Sequence, residues 1–328
     1  MSQVHEHLPG LTLGHLPLGR GPTSVRRLDR DLVGGSEVWV KAENEYGDGG
    51  WGGNKVRKLE WILPEAKRRG AKTIFTVGGI GTHWGLAAAL YGREHGLRIV
   101  LGLVDQPVDE HVRDQLGRLQ ASGAELHRVS TPARLRMAAP VLMARAAVRD
   151  RRPPMYVPAG GSSPFGALGY VEASYELAAQ VAAGDLPAPA TVVTAVGSGG
   201  TAAGLALGLK LAGLDARVEG IVVNDALRLD PDTIAWLANE TADLLRGHGA
   251  ELDVAEVRPR DVTMRNEWLG TRYGDPTPAS VAAVADAAAH GLTLEPVYTG
   301  KALAAIRDLA DTRALAEPIL WLNTHGPR

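Results

Sequence analysis

From residue 70 onward the chain alternates between two patterns. Short continuous runs of β-branched and apolar residues are followed by longer segments with apolar residues every three or four positions. The first pattern reads as a strand buried on both faces, the second as a helix covering it. TIFTVGG (73–79), RIVLGLV (98–104), AELHRV, MYVPAGG, TVVTAVGSGG, ARVEGIVVND and the closing PILWLNTHG read as strands. THWGLAAALYGREHG, VDEHVRDQLGRLQASG, 133–149, ALGYVEASYELAAQVAAG, TAAGLALGLKLAG, much of 230–250, 278–290 and VYTGKALAAIRDLAD read as helices. This alternation implies an α/β protein built on parallel sheet. Parallel sheets bind ligands at the carboxyl ends of their strands. The glycine clusters VGGIGT, PAGGSS, VGSGGT and NTHG fall at those ends.

Composition narrows the function classes. At 328 residues the chain fits one large or two medium domains. A net charge of −2 leaves no electrostatic footprint for nucleic acid. No stretch has the apolar length to cross a bilayer, and MSQVHEHLPGLTLGH lacks the pattern of a signal peptide. There is no cysteine, hence no disulfide and no thiolate chemistry. A cytoplasmic protein is the expectation, although a cysteine-free chain also suits an oxidising compartment. No metal site is expected: His5 and His7 lie in an N-terminus read as mobile, and no HExxH pattern occurs. The 40 glycines cluster at strand ends rather than in linkers, as backbone that approaches a ligand requires.

Three clusters could carry chemistry. In VGSGGTAAGL, Gly197, Ser198, Gly199 and Gly200 join a strand to a helix near Thr201. Backbone N–H groups at such a junction bind anions, and the same glycines would also serve a tight turn. In WGGNKVRKLEW, Lys55 follows two glycines at the mouth of a helix whose apolar face is Val56, Leu59, Ile62, Leu63 and Ala66. Asn54 is placed to cap that helix. The helix dipole disfavours a cation at Lys55, as a Schiff-base lysine needs, whereas Lys58 and Lys67 read as ordinary helix lysines. In LEPVYTGKALAAI a strand-like run delivers Tyr298 and Thr299 to a turn. Tyr298, and Tyr273 in RYGDP, could equally be a core and a turn tyrosine.

Taken together and in this order, these segments resemble the fold-type II pyridoxal-phosphate enzymes. More specifically they resemble the branch of D-cysteine desulfhydrase and 1-aminocyclopropane-1-carboxylate deaminase. The likeness is carried by PTSVRRL, VWVKAEN, GGNKVRKLEW, AGGSSPFGALGYV, GSGGTAAGL, RYGDP, EPVYTGKALAAI and LNTHG; it is weakest over 225–265. It implies a tryptophan synthase β-like fold of two doubly wound parallel-sheet domains. The larger, pyridoxal-phosphate-binding domain would be 1–50 plus 160–328 and the smaller 51–159, with a homodimer expected. Lys55 would carry pyridoxal 5'-phosphate covalently, beside Asn54. Gly197, Ser198, Gly199, Gly200 and Thr201 would hold the phosphate. Thr299, with Thr324 nearby, would face the pyridine nitrogen. A neutral hydroxyl there suits elimination over transamination. Tyr298 and Tyr273 would stand over the substrate.

One segment departs from that pattern. In VGGIGTHWGLA, Thr82 and His83 stand where the family has serine and asparagine, and Trp84 follows. Thr82 keeps a hydroxyl for the substrate, His83 could reach the cofactor's phenolic oxygen, and Trp84 could close off the pocket. The expected function is a lyase or deaminase acting on a small amino acid. The reaction would be α,β-elimination of a β-substituted alanine to keto acid and ammonia, with Lys55, Thr82, Tyr298 and Tyr273 as the catalytic set. β-Replacement or racemisation in a specialised biosynthetic enzyme, and a non-catalytic pyridoxal-phosphate protein, remain open at this point. Neither nucleic acid nor membrane is an expected partner.

Overall fold

The computed structural model describes residues 2–47, 52–254 and 256–324. Trp51, and the His325–Gly326 end of the closing segment, lie outside the described residues. The strands are β1 (Val25–Arg27), β2 (Val38–Lys41), β3 (Thr73–Gly79), β4 (Arg98–Val104), β5 (Glu125–Val129), β6 (Met155–Val157), β7 (Thr191–Val196), β8 (Arg217–Val222), β9 (Val262–Arg265) and β10 (Ile319–Leu322). The helices are α1 (Gln3–His7), α2 (Asn54–Arg68), α3 (His83–Glu94), α4 (Glu110–Ala121), α5 (Pro132–Asp150), α6 (Pro164–Ala183), α7 (Gly200–Leu211), α8 (Pro231–Gly247), α9 (Pro278–Ala289) and α10 (Thr299–Asp311). None of the described helices is long and apolar enough to cross a membrane.

Two sheets result. One runs β1-β2-β10-β7-β8-β9, parallel throughout except for β1 against β2; the other runs β5-β4-β3-β6 and is all parallel. The chain leaves the first sheet after β2, builds the second from 73 to 157, and returns through α6 to β7. The continuous apolar runs have the expected cause. In β7, Val192 and Val196 pack into one core while Val193 and Ala195 pack into another, and β10 divides Leu320 and Leu322 from Ile319 and Trp321 in the same way. Alternate side chains of a strand point to opposite faces, so a sheet covered on both sides needs apolar residues at every position.

The N-terminus differs from its reading as mobile. It forms α1, Val4 is fully buried, and the backbone N–H groups of Gln3 and Val4 donate to the Glu172 carboxylate. His5 stacks on Trp61 and His7 on Tyr175. Apolar anchoring on α6 and the acceptor at the helix start account for the order.

Helix starts separate into two kinds. Serine, threonine or aspartate caps α1, α3, α4, α5, α6, α8 and α9, each with its own side-chain bond. In contrast, α2 and α7 start on Gly53 and Gly199 without one. A helix start without a side-chain cap leaves donor groups for something else.

Candidate active site

One cavity is lined from both sheets: by the start of α2, the β3–α3 and β7–α7 turns, the loop into α4, and the segment leading to α10. Lys55 enters it from the first turn of α2. Gly53 takes φ 43° and ψ −123°, a conformation that glycine adopts without strain. The cap position therefore falls to Gly53, and Asn54, expected there, is instead the first helical residue, buried and lining the cavity. Burial lowers the Lys55 pKa to about 8, with the Glu295 carboxylate opposing. At pH 7 roughly one Lys55 amine in ten is then neutral and nucleophilic.

The β7–α7 turn forms another part of the wall. Gly197, Ser198, Gly199 and Thr201 line the cavity, and Gly199 has φ 89°. The Gly200 N–H donates to Ser162 Oγ at 2.9 Å, and Ser162 Oγ donates to Ser198 Oγ at 2.9 Å. A β-carbon on Gly200 would stand 2.8 Å from Ser162 Oγ and 3.1 Å from Lys58 Nζ. Lys58 is therefore no ordinary helix lysine. It is buried, donates to the Gly160 carbonyl at 3.1 Å, and is held well below the usual lysine range by burial and then by Lys55. A three-residue spacing puts two side chains on one helix face, so the pairing of Lys58 with Lys55 was legible. Ser162 carried no such signal.

The run LEPV, which leads to Tyr298 beside Gly197, is not a strand. It is a turn in which the Glu295 carboxylate accepts from the N–H groups of Val297, Tyr298 and Thr299 at 2.7–3.1 Å. An acid receiving the first N–H groups of α10 is the favourable arrangement for a helix N-terminus, and it bends the chain out of extension. Thr299 is fully buried. Its Oγ1 accepts from Glu295 N at 3.1 Å and lies 3.2 Å from Glu295 Oε1. Glu295, not Thr299, lines the cavity, together with Thr324. Tyr298 and Tyr273 do come together, with their hydroxyls 2.6 Å apart and their rings edge to face. Burial raises the pKa of both.

The departing segment lies across the cavity. Thr82 caps α3, its Oγ1 accepting from Gly85 N at 3.1 Å. His83 Nε2 lies 2.9 Å from His111 Nε2, and His83 Nδ1 lies 2.8 Å from Gln115 Nε2. Both ring nitrogens face α4, so a bond from His83 to a cofactor oxygen would require one of these contacts to be released. Trp84 is buried; it donates to Thr76 Oγ1 at 2.8 Å and packs against Gly161. Its indole forms part of the cavity wall as well as the core.

Comparison with known proteins follows the same outline. The family model described as "Pyridoxal-phosphate dependent enzyme" matches residues 16–324. A putative 1-aminocyclopropane-1-carboxylate deaminase of Pyrococcus abyssi is 33% identical over 308 residues, covering 92% of this chain and 87% of the relative. A D-cysteine desulfhydrase of Yersinia pestis is 33% identical over 321 residues, covering 95% and 93%. Among solved structures, one described as an ACC deaminase homologue superposes with a TM-score of 0.79 at 29% identity, covering 98% of this chain and 94% of the other.

Proposed function

The chain belongs to the pyridoxal-phosphate dependent enzyme family, and from that premise we propose that it eliminates the β-substituent of a small amino acid, releasing keto acid and ammonia. The observation that carries this reading is the placement of Lys55. Its desolvated amine, with a pKa of about 8, stands in a cavity with an anion cradle at one end and the Glu295 carboxylate lining the wall at α10.

The cavity suits pyridoxal phosphate. A β-carbon at Gly200 would crowd the cradle, and one at Gly197 would stand 2.7 Å from Tyr298 Cε1, so glycine keeps both places open to a flat ligand and its phosphate. Donors for that phosphate would be the backbone N–H groups at the start of α7, the Ser198 and Thr201 hydroxyls, and the Lys58 amino group, which a bound phosphate's negative charge would favour in its ammonium form. Ser162 Oγ, now on Gly200 N, is placed to yield that donor. Lys55 would hold the cofactor covalently. When bound, pyridoxal phosphate supplies the electron sink for loss of the α-proton. Lys55, with its amine free, would take that proton. The Tyr298–Tyr273 pair, kept protonated by burial, bounds the substrate and donates hydrogen bonds to it. The Thr82 hydroxyl is aligned by its bond to Gly85 N and can donate to the substrate carboxylate. Glu295 lines the cavity 3.2 Å from the Thr299 hydroxyl and would bring negative charge to it. We assign 1–50 and 160–328 to the cofactor-binding lobe and 51–159 to the smaller one, following the two sheets.

The test is keto-acid release by purified cofactor-loaded protein. Substrates are D- and L-cysteine, D- and L-serine, O-acetylserine, β-chloroalanine and aminocyclopropane carboxylate. Turnover of a β-substituted alanine is expected. Release from the cyclopropane alone would replace elimination by ring opening, and release from none would end the reading.

Lys58→Met provides a separate check. Loss of one buried charge-assisted bond should weaken cofactor affinity about 10- to 100-fold, measured by titrating the unloaded protein and following absorbance. Unchanged affinity would remove Lys58 from the phosphate site.

A further inference from the structure

We propose that His83 and His111 together are the general acid that protonates the departing β-substituent, an assignment that rests on the elimination reading above. The two imidazoles stand on the first turns of α3 and α4, stacked with centroids 5.0 Å apart. Their Nε2 atoms are 2.9 Å apart. Two ring nitrogens at that distance share one proton, one donating and the other accepting. Gln115 closes the far end, with Nε2 2.8 Å from His83 Nδ1 and a buried Oε1 that has no partner. An amide can present either atom to its neighbour. With nitrogen towards His83 the pair is neutral. With oxygen towards His83, Nδ1 carries a proton too, and the pair holds one more proton while both contacts survive. The cluster thus has a bonded arrangement for each protonation state, which an acid that cycles during turnover needs.

Its position suits the task. His83 and His111 line the cavity that Lys55 enters. The other ionisable groups lining it are Asp109 from the start of α4, Lys55 and Lys58 from α2, Tyr273 from the loop before α9, and Glu295 and Tyr298 from the segment leading into α10. Lys55 serves as base, Lys58 bonds Gly160, the tyrosines are pushed up by burial, and the Asp109 carboxylate accepts from Val112 N. Imidazole is the side chain whose ordinary titration lies near neutral pH. In the step, the electron pair left at Cα by proton loss forms the Cα–Cβ double bond while the Cβ–X bond breaks with its own pair leaving on X. The contact between the two rings opens as X takes the Nε2 proton, the pair becomes neutral, and solvent returns the proton and restores the contact after product departs.

General acid help matters most for a poor leaving group. The experiment compares serine, which loses hydroxide, with β-chloroalanine, which loses chloride, in the hand the wild type accepts. His111→Gln keeps a polar partner for His83 but cannot become a cation; His111→Ala is the second variant should the first fold poorly. The expected result is a fall in kcat of about 100-fold on serine, with β-chloroalanine within about threefold. The decline of the wild-type serine rate at high pH should disappear, and the visible spectrum of the loaded variant should match wild type. Equal losses on both substrates would mean a structural role and overturn the proposal, as would no loss on serine. A wild type that expels chloride but not hydroxide would also overturn it while leaving elimination standing. Turnover of neither would overturn both.

Discussion

Replacing Lys55 with alanine should abolish turnover, with keto-acid release falling at least about 1000-fold on every substrate the wild type accepts. The reason lies in what remains in the cavity. Lys58 is the neighbouring amine, but its Nζ donates to Gly160 O, on the phosphate side. The tyrosine hydroxyls are held protonated by burial and cannot act as bases at neutral pH. The variant should still bind pyridoxal phosphate through the α7 cradle, but with the absorption of free rather than lysine-bound cofactor. A small added amine should return part of the rate. A loss of less than about tenfold would move the reactive amine elsewhere and leave the Gly52–Gly53 hinge without a function.

The largest effect on stability is expected from Arg57→Leu. Arg57 is fully buried and donates to both oxygens of Glu43 at 2.6 and 2.9 Å and to Glu176 at 3.0 and 3.1 Å, with its guanidinium 3.8 Å above the Tyr46 ring. Lys41 adds bonds of 2.6 Å to Glu176 and to Gln180. The cluster ties β2, α2 and α6 together two residues from Lys55. Removing the arginine leaves two buried carboxylates short of positive charge, which costs about 3–5 kcal/mol. Denaturant unfolding of the unloaded protein measures this. A change under about 1 kcal/mol would show that solvent reaches the cluster.

The same cluster sets a pH dependence. Burial raises the Glu176 pKa, but Arg57 and Lys41 more than offset this and bring it to about 2. The unfolded chain then binds the proton more readily than the folded one. The stabilisation is complete above the ordinary glutamate value near 4.5 and is lost as pH falls towards 2. Glu176→Gln should flatten the acid limb of a stability–pH curve in that window.

Local pattern sufficed for much of the fold. The strand at 73–79 and the helix at 278–290 were legible because a sheet buried on both faces and an amphipathic helix leave different periodicities. So was the placement of Lys55 at a glycine-led helix start, since a glycine pair before a helix is a local signal. Misreadings came where the path of a turn overrides composition. LEPV has strand-like composition, but its own glutamate caps α10 and folds it back. Asn54 is a good capping residue, but the chain enters α2 at an angle that favours glycine one position earlier.

By itself the sequence determined the α/β alternation, the glycine-to-helix junctions at 52–55 and 197–201, and the presence of Lys55 and the two tyrosines, because each is written in neighbouring residues. Only the tertiary structure decided that Glu295 rather than Thr299 lines the cavity, that Lys58 and Ser162 stand beside Gly200, and that His83 pairs with His111. These contacts join residues 4 to 142 positions apart. The longer ones are set by which loops the crossovers bring to the same ends of two sheets, and periodicity carries no record of that. The shortest, Glu295 to Thr299, is set by the direction a turn takes, which composition does not encode.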